Sequence, residues 1–510
     1  MEKAFWGMVA GCTLAFGILL TMYLNKTGVI DLSPEPVTEA VETTENTPKH
    51  EIDNDELYAL VYGDEWEEEK IVPETEEEED VEEIIYTYEE KVDKSGYVEP
   101  NRNGDEEYFM PEENAYESDT KENQSKEEED ETPESKSNTE YQYDLYSNHV
   151  VITKYLGKKT DLIIPDTLDD KPVTEIAASA FSNAKRLIRV EIPNSVTTIG
   201  DNSFKGNAAL VEVFMPESLT SLGKGAFDGC TNLVKITIPE GVTKILEKTF
   251  NECNSMTRII LPEDITEIGK QAFNNCSSLQ KINLQDELVT IGDEAFFECL
   301  KLEKIDIPDN VKTIGDSAFE GCAEATSIKL GKLVDTIGEL CFKGCVKAET
   351  VKLSPVLKEI PSEAFMDNTS LGSCKITANV TNIGENAFEN CIALTDISIP
   401  SSVEAIEASA FQGCLLLEGV SFKSGITSIG DYAFSGCRAL TSIEIPKTVI
   451  SIGAEAFAGC VGLIDVSITK NTLSIESAAF AGCPLTEVTI NKICSYRTDS
   501  FPEGITIHNY

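Results

Sequence analysis

The sequence predicts a repeat solenoid of the α+β class: a parallel β stack with short helical turns, preceded by a transmembrane helix and a disordered acidic linker. Three observations carry this. Phenylalanine recurs fourteen times at strict 23-residue intervals from Phe181 to Phe480, a 21-residue run without charge spans Ala4 to Leu24, and residues 31–140 hold 41 acidic against 8 basic residues. Self-similarity at a fixed period of this size means stacked supersecondary units, each too small to bury its own apolar face.

The run from Ala4 to Leu24, AFWGMVAGCTLAFGILLTMYL, is long enough as a helix to cross the ~30 Å hydrocarbon core. It reads as an uncleaved anchor over 1–30. A cleaved signal peptide and a lipoprotein whose Val9-Ala10-Gly11-Cys12 would be lipidated at Cys12 are the competing readings. Lys3 and Lys26 flank the run almost evenly, so orientation is weakly marked; a short cytoplasmic N-terminus with the rest of the chain outside is the expected arrangement. Residues 31–140, with seven prolines and runs such as EWEEEK and ETEEEED, have the composition of a disordered stalk, a solvated spacer that lifts the repeats off the membrane.

From residue 141 the repeat governs. Aligned on the Phe, each unit reads I-x-x-I-G-x-x-A-F-x-x-C-x-x-L-x-x-I-x-I-P. The I-x-I-P piece, as in Ile236-Thr237-Ile238-Pro239, alternates with period two and predicts a short strand that the proline ends. The glycine of I-x-x-I-G, at 200, 223, 269, 292, 315, 338, 384, 430 and 453, is expected to turn a corner with positive φ. A-F-x-x-C, with apolar residues three apart, predicts one helical turn.

With these landmarks the 23-residue unit resembles the BspA-type leucine-rich repeats of bacterial and some protist surface proteins. The resemblance covers about 360 residues and implies a leucine-rich-repeat-like fold in a surface-displayed binding module; family members are associated with attachment to host matrix proteins and other cells. It carries over no catalytic residue. On this reading 141–180 are the N-terminal cap and first coil, 181–484 the repeats, and 485–510 a C-terminal cap in which Phe501 follows Phe480 after 21 residues. A hairpin of Val150 to Tyr155 against Leu162 to Ile164 is expected to shield the first sheet edge. The units from about 320 to 376, where Ala325 and Ala348 replace leucine, Pro361 the glycine and Cys374 an isoleucine, should pack less tightly.

Eleven of fifteen cysteines occupy one repeat position, three beyond the Phe, with Asn207 and Asn368 at the same place in other units. A small, buried, weakly polar side chain suffices there, since parallel Cβ vectors oppose disulfide geometry and no CxxC pair offers a metal site.

Ninety acidic against 41 basic residues, net −49, argue against a nucleic-acid partner, and three histidines (His50, His149, His508) leave little for histidine-based metal sites or triads. No clustered acid–base pair or phosphate loop appears, so the chain reads as a non-enzyme without cofactors. The outward strand positions, eight and ten beyond each Phe, instead gather Arg189, Lys235, Arg258, Lys281, Lys304, Lys329, Lys352 and Lys375, with Phe214 and Ile260 exposed among them. These ten are the candidate ligand-binding residues. The expected role is a membrane-anchored, single-pass protein with its repeats outside the cell, binding an extracellular protein or anionic surface ligand. The alternative is a structural envelope spacer with no dedicated ligand.

Overall fold

Strands of two or three residues are not stable alone, and here they exist because each lies against its counterpart 23 residues on. The structure, a computed structural model, describes residues 132–510, so the expected anchor and nearly all of the acidic stalk lie outside the described residues. An antiparallel cap comes first: β1 (Glu134–Ser137), β2 (Tyr141–Leu145) and β3 (Val150–Tyr155) pair in order. β1 thus falls within the stretch assigned to the stalk. Next come β4 (Asp161–Ile163), β5 (Thr167–Leu168), β6 (Lys171–Ile176), β7 (Arg189–Glu191), β8 (Thr198–Ile199) and β9 (Glu212–Phe214). β3 turns the direction by pairing in parallel with β6, and from there successive coils build two parallel ladders that are interrupted at several coils.

The expected hairpin is not formed. β3 pairs with β2 and β6, while β4 pairs in parallel with β7 as the first strand of the stack. The shield is therefore built one element earlier, from residues 134–145, and the segment beginning at Val150 is already a coil.

The register is that of the repeat. Val190 lies opposite Val213, Ile236 opposite Ile259 and Ile199 opposite Leu222, so buried side chains stack on their own equivalents. The phenylalanines form one offset-stacked column, with ring centroids 4.9 Å apart at Phe181–Phe204 and 5.4 Å at Phe480–Phe501. Tyr155 continues it in the cap, 5.2 Å from Phe181.

The α+β expectation is overturned, because the described residues contain no helix and the solenoid is all β and turn. A-F-x-x-C fails as a helical turn for two reasons. The residues two before and two after the Phe have positive φ, as at Asn202 (53°) and Gly206 (73°), which a right-handed helix forbids. The N–H groups there are also taken by the next coil: Phe204 donates to the Ala226 carbonyl at 2.8 Å and Gly206 to that of Asp228 at 2.7 Å. The third side of each coil is thus hydrogen-bonded from coil to coil like the other two.

The corner glycines also have a different reason from the expected one. None of them has positive φ; instead the backbones of adjacent coils pass too closely for a side chain, a Cβ on Gly315 falling 2.4 Å from the Asp293 nitrogen. The stretch expected to pack loosely keeps its strand-side ladder, with Val351 opposite Ile328 on one side and Cys374 on the other, but its corner ladder is interrupted between Thr336–Ile337 and Glu359–Ile360, where Pro361 has no N–H to donate. The strand-side ladder weakens earlier, at Lys281, which joins Arg258 only by an isolated bridge.

Candidate binding face

The three-residue strands build one exposed face. In each, the middle residue points into the core and its neighbours point out, as in β7, where Val190 is buried between exposed Arg189 and Glu191. All ten candidate residues stand on this face and are exposed. The structure arranges them in two rows. Arg189, Lys235, Arg258, Lys281 and Lys304 lie eight residues beyond their phenylalanines; Phe214, Ile260, Lys329, Lys352 and Lys375 lie ten beyond.

Like charges face each other directly. Lys235 is in register with Arg258, Arg258 with Lys281, and Lys329 with Lys352. Such pairs cost stability unless a counter-charge relieves them. Relief is partial: Glu212 lies 3.6 Å from Arg189, Glu303 3.6 Å from Lys281, and Asp306 2.9 Å from Lys329. The hydrogen bond from Lys329 to Asp306 holds the Lys329 ammonium above its ordinary pKa. Among the described residues Arg258, Lys304, Lys352 and Lys375 make no ion pair. The Arg189 guanidinium also covers the Phe214 ring, 4.5 Å from its centroid.

Beside Lys304 the face opens into a shallow groove of ≈ 360 Å³ lined by Gln280, Lys301, Glu303, Lys304, Glu324, Thr326 and Lys347. It borders the weak point of the ladder at Lys281. Sequence reasoning found Lys304 but missed the groove beside it, since the other six lining residues sit five or seven beyond the Phe, outside the I-x-I strand. It missed on the same ground an exposed aliphatic row, Ile188, Val211 and Val234, stacked through the N–H of Val211 on the Ile188 carbonyl at 2.8 Å. The signal was present as an aliphatic residue at one position in three consecutive repeats. Ile163, 70% exposed, lies at the cap end of the same face.

The described cysteines are free and buried. Burial pushes the Cys276 and Cys345 thiols up to about 12 and the Cys253, Cys299 and Cys322 thiols well above the ordinary range. They are neutral hydrogen-bond donors at physiological pH.

A stack of parallel 23-residue coils with one exposed strand face defines a repeat solenoid. The chain belongs to the BspA type leucine rich repeat family, whose repeat region matches residues 174–302, 289–418 and 381–504. It is similar to a leucine-rich repeat protein from Bacteroides ovatus of known crystal structure, at 25% identity and a TM-score of 0.57, over 73% of this chain and 98% of that one. It is also similar to a leucine rich cell surface protein from Faecalibacterium prausnitzii, at 25% identity and a TM-score of 0.42, over 74% and 95%. No curated protein matches it.

Proposed function

We propose that this chain is a non-enzymatic binding module of the cell surface, anchored by the apolar segment 4–24, projected by the acidic segment 31–140, and engaging an anionic ligand through the strand face. The observation that carries this reading is the in-register run Lys235, Arg258, Lys281 on a chain of net charge −49. A face built only to be solvated gains nothing from directly opposed like charges, whereas an anionic ligand turns each into an attraction. Membership of a leucine-rich repeat family supports a binding role over a catalytic one.

The test uses the full chain in detergent and the quadruple variant R258Q/K281Q/K304Q/K352Q, compared for retention on surfaces coated with anionic polymers and with extracellular matrix protein. The variant should lose retention, and the parent's should fall steeply with salt. Equal retention of the two proteins on every surface would leave the spacer role as the better account.

A further inference from the structure

We propose that the strand face is a track for a linear acidic polysaccharide bearing one acidic group on each sugar ring. This rests on the reading of the face as an anionic-ligand surface and names the ligand class. The first ground is spacing. Seven consecutive coils each present one cation: Lys235, Arg258, Lys281 and Lys304 in one row, then Lys329, Lys352 and Lys375 in the other. Strands in a sheet are ~4.8 Å apart, so the seven cations span about 29 Å along the stack at one per coil, with a sideways step of about 6.7 Å where the row changes between Lys304 and Lys329. A pyranose ring in an extended chain advances by about one coil, so one acidic group per ring stays in step with one cation per coil. An extended acidic peptide presents side chains on one side only every second residue, about 6.7 Å apart, and drifts out of step within three coils.

The second ground is the polar chemistry beside the cations. The groove at Lys304 offers the Gln280 amide and the Thr326 hydroxyl, and its carboxylates are already committed, Glu303 to Lys281 at 3.6 Å and Glu324 to Lys347. Sugar hydroxyls need such donors and acceptors, whereas a bare polyanion does not. At the Lys235 end Ile260, 46% exposed, supplies apolar surface for the C–H face of a ring.

The test measures binding of the full chain to oligogalacturonides, which carry one carboxylate per ring, over a series of lengths. Oligoglutamates and single-stranded oligothymidylates of matched charge are run beside them. Affinity for the oligogalacturonides should rise with length to about seven rings, one per cation-bearing coil, then level. It should exceed that of both comparison polymers at equal charge. The variant K281Q/K304Q, altered only at exposed side chains, should bind the seven-ring probe ~4- to 25-fold more weakly, from about two- to fivefold per cation. The variant E444Q/D465N, altered on coils outside the track, should bind like the parent. Oligoglutamate or oligothymidylate binding as tightly as the sugar, or affinity climbing without a plateau, would overturn the polysaccharide assignment and leave an anion-binding face. Parent and K281Q/K304Q binding every probe alike would remove both the assignment and the reading beneath it.

Discussion

The Cys276 thiol donates a hydrogen bond to the Phe250 carbonyl oxygen of the preceding coil, 3.2 Å away. The contact recurs down the stack, from Cys230 on Phe204 at 3.3 Å to Cys483 on Phe457 at 3.2 Å. It explains why a small donor is wanted at this position: the Phe carbonyl accepts the N–H of the Cys in its own coil, as Phe250 does from Cys253 at 3.3 Å, and its remaining lone pair is taken by a side chain arriving from the next coil. Asn207 does the same with its amide, which donates to the Phe181 carbonyl at 3.0 Å.

The column makes the fold sensitive to alkali. Burial raises the folded-state pKa of these thiols from the ordinary 9.0, to about 12 at Cys276 and Cys345. Below pH 9 both states hold the proton and nothing changes; between about 9 and 12 the unfolded chain loses it and the folded chain keeps it, so stability falls as pH rises. Each thiol contributes a slope of about 1.4 kcal/mol per pH unit. Eleven together give roughly 15 kcal/mol per pH unit, so circular dichroism should show cooperative unfolding within about one unit above the unfolded thiol pKa. The triple variant C276S/C299S/C322S should show a slope shallower by about 4 kcal/mol per pH unit. An unchanged slope would mean that the thiols are not what titrates.

Asn368 stands where the cysteines stand, fully buried, and both polar atoms of its amide lack partners. An unpaired buried polar group costs ~1 to 3 kcal/mol. Asn368→Cys would place a thiol where the other coils use one to reach the preceding Phe carbonyl, here that of Phe342, and would remove the two orphaned atoms. The variant should be stabilised by ~1 to 3 kcal/mol in chemical denaturation. A loss of stability would show that the amide has a partner of its own.

How far the sequence speaks can be judged at particular residues. The period places the fourteen repeat phenylalanines in one column and the candidate cations on the outward face, because a fixed interval with period-two alternation allows no other stacking. The helical turn at A-F-x-x-C rests on the apolar spacing of Phe and Cys alone, and that spacing misleads. The residue two beyond the Phe carries the contrary signal: glycine at 206, 229, 321, 344, 413, 436, 459 and 482, and Asn or Asp at 183, 275, 367 and 390. These are the residues that tolerate left-handed backbone, and all have it. The corner glycine shows the reverse ambiguity, since its composition does not distinguish positive φ from the close backbone approach that Gly315 makes to Asp293. The groove at Lys304 is illegible in the sequence because it is made by four coils side by side and no single repeat contains it.

Phe319 lies between Phe296 and Phe342, 4.9 and 5.6 Å from them, and is fully buried. Phe319→Ala removes contacts to both neighbours and should cost ~3 to 5 kcal/mol. In a one-dimensional stack that cost falls on adjacent coils first. Hydrogen exchange should therefore accelerate at the 23-residue units on either side of the substitution while the cap at Tyr141–Tyr155 keeps its protection. Uniform acceleration over the whole array would indicate that the coils unfold as one unit.

The cationic face should be a place where binding is maintained at the expense of stability. Arg258 and Lys281 face each other across adjacent strands, and Arg258 also faces Lys235. Replacing the two by glutamine removes repulsion without opening a cavity, since both side chains are exposed. The variant R258Q/K281Q should melt ~1 to 4 °C above the parent at low ionic strength. The difference should vanish at about 1 M salt, where the Debye length is only ~3 Å. The Glu303 contact to Lys281 limits the gain, because that carboxylate loses its partner. A variant that melts below the parent at both salt concentrations would show that the stripe contributes to folding, which would remove the reason to look for the ligand that offsets its repulsion.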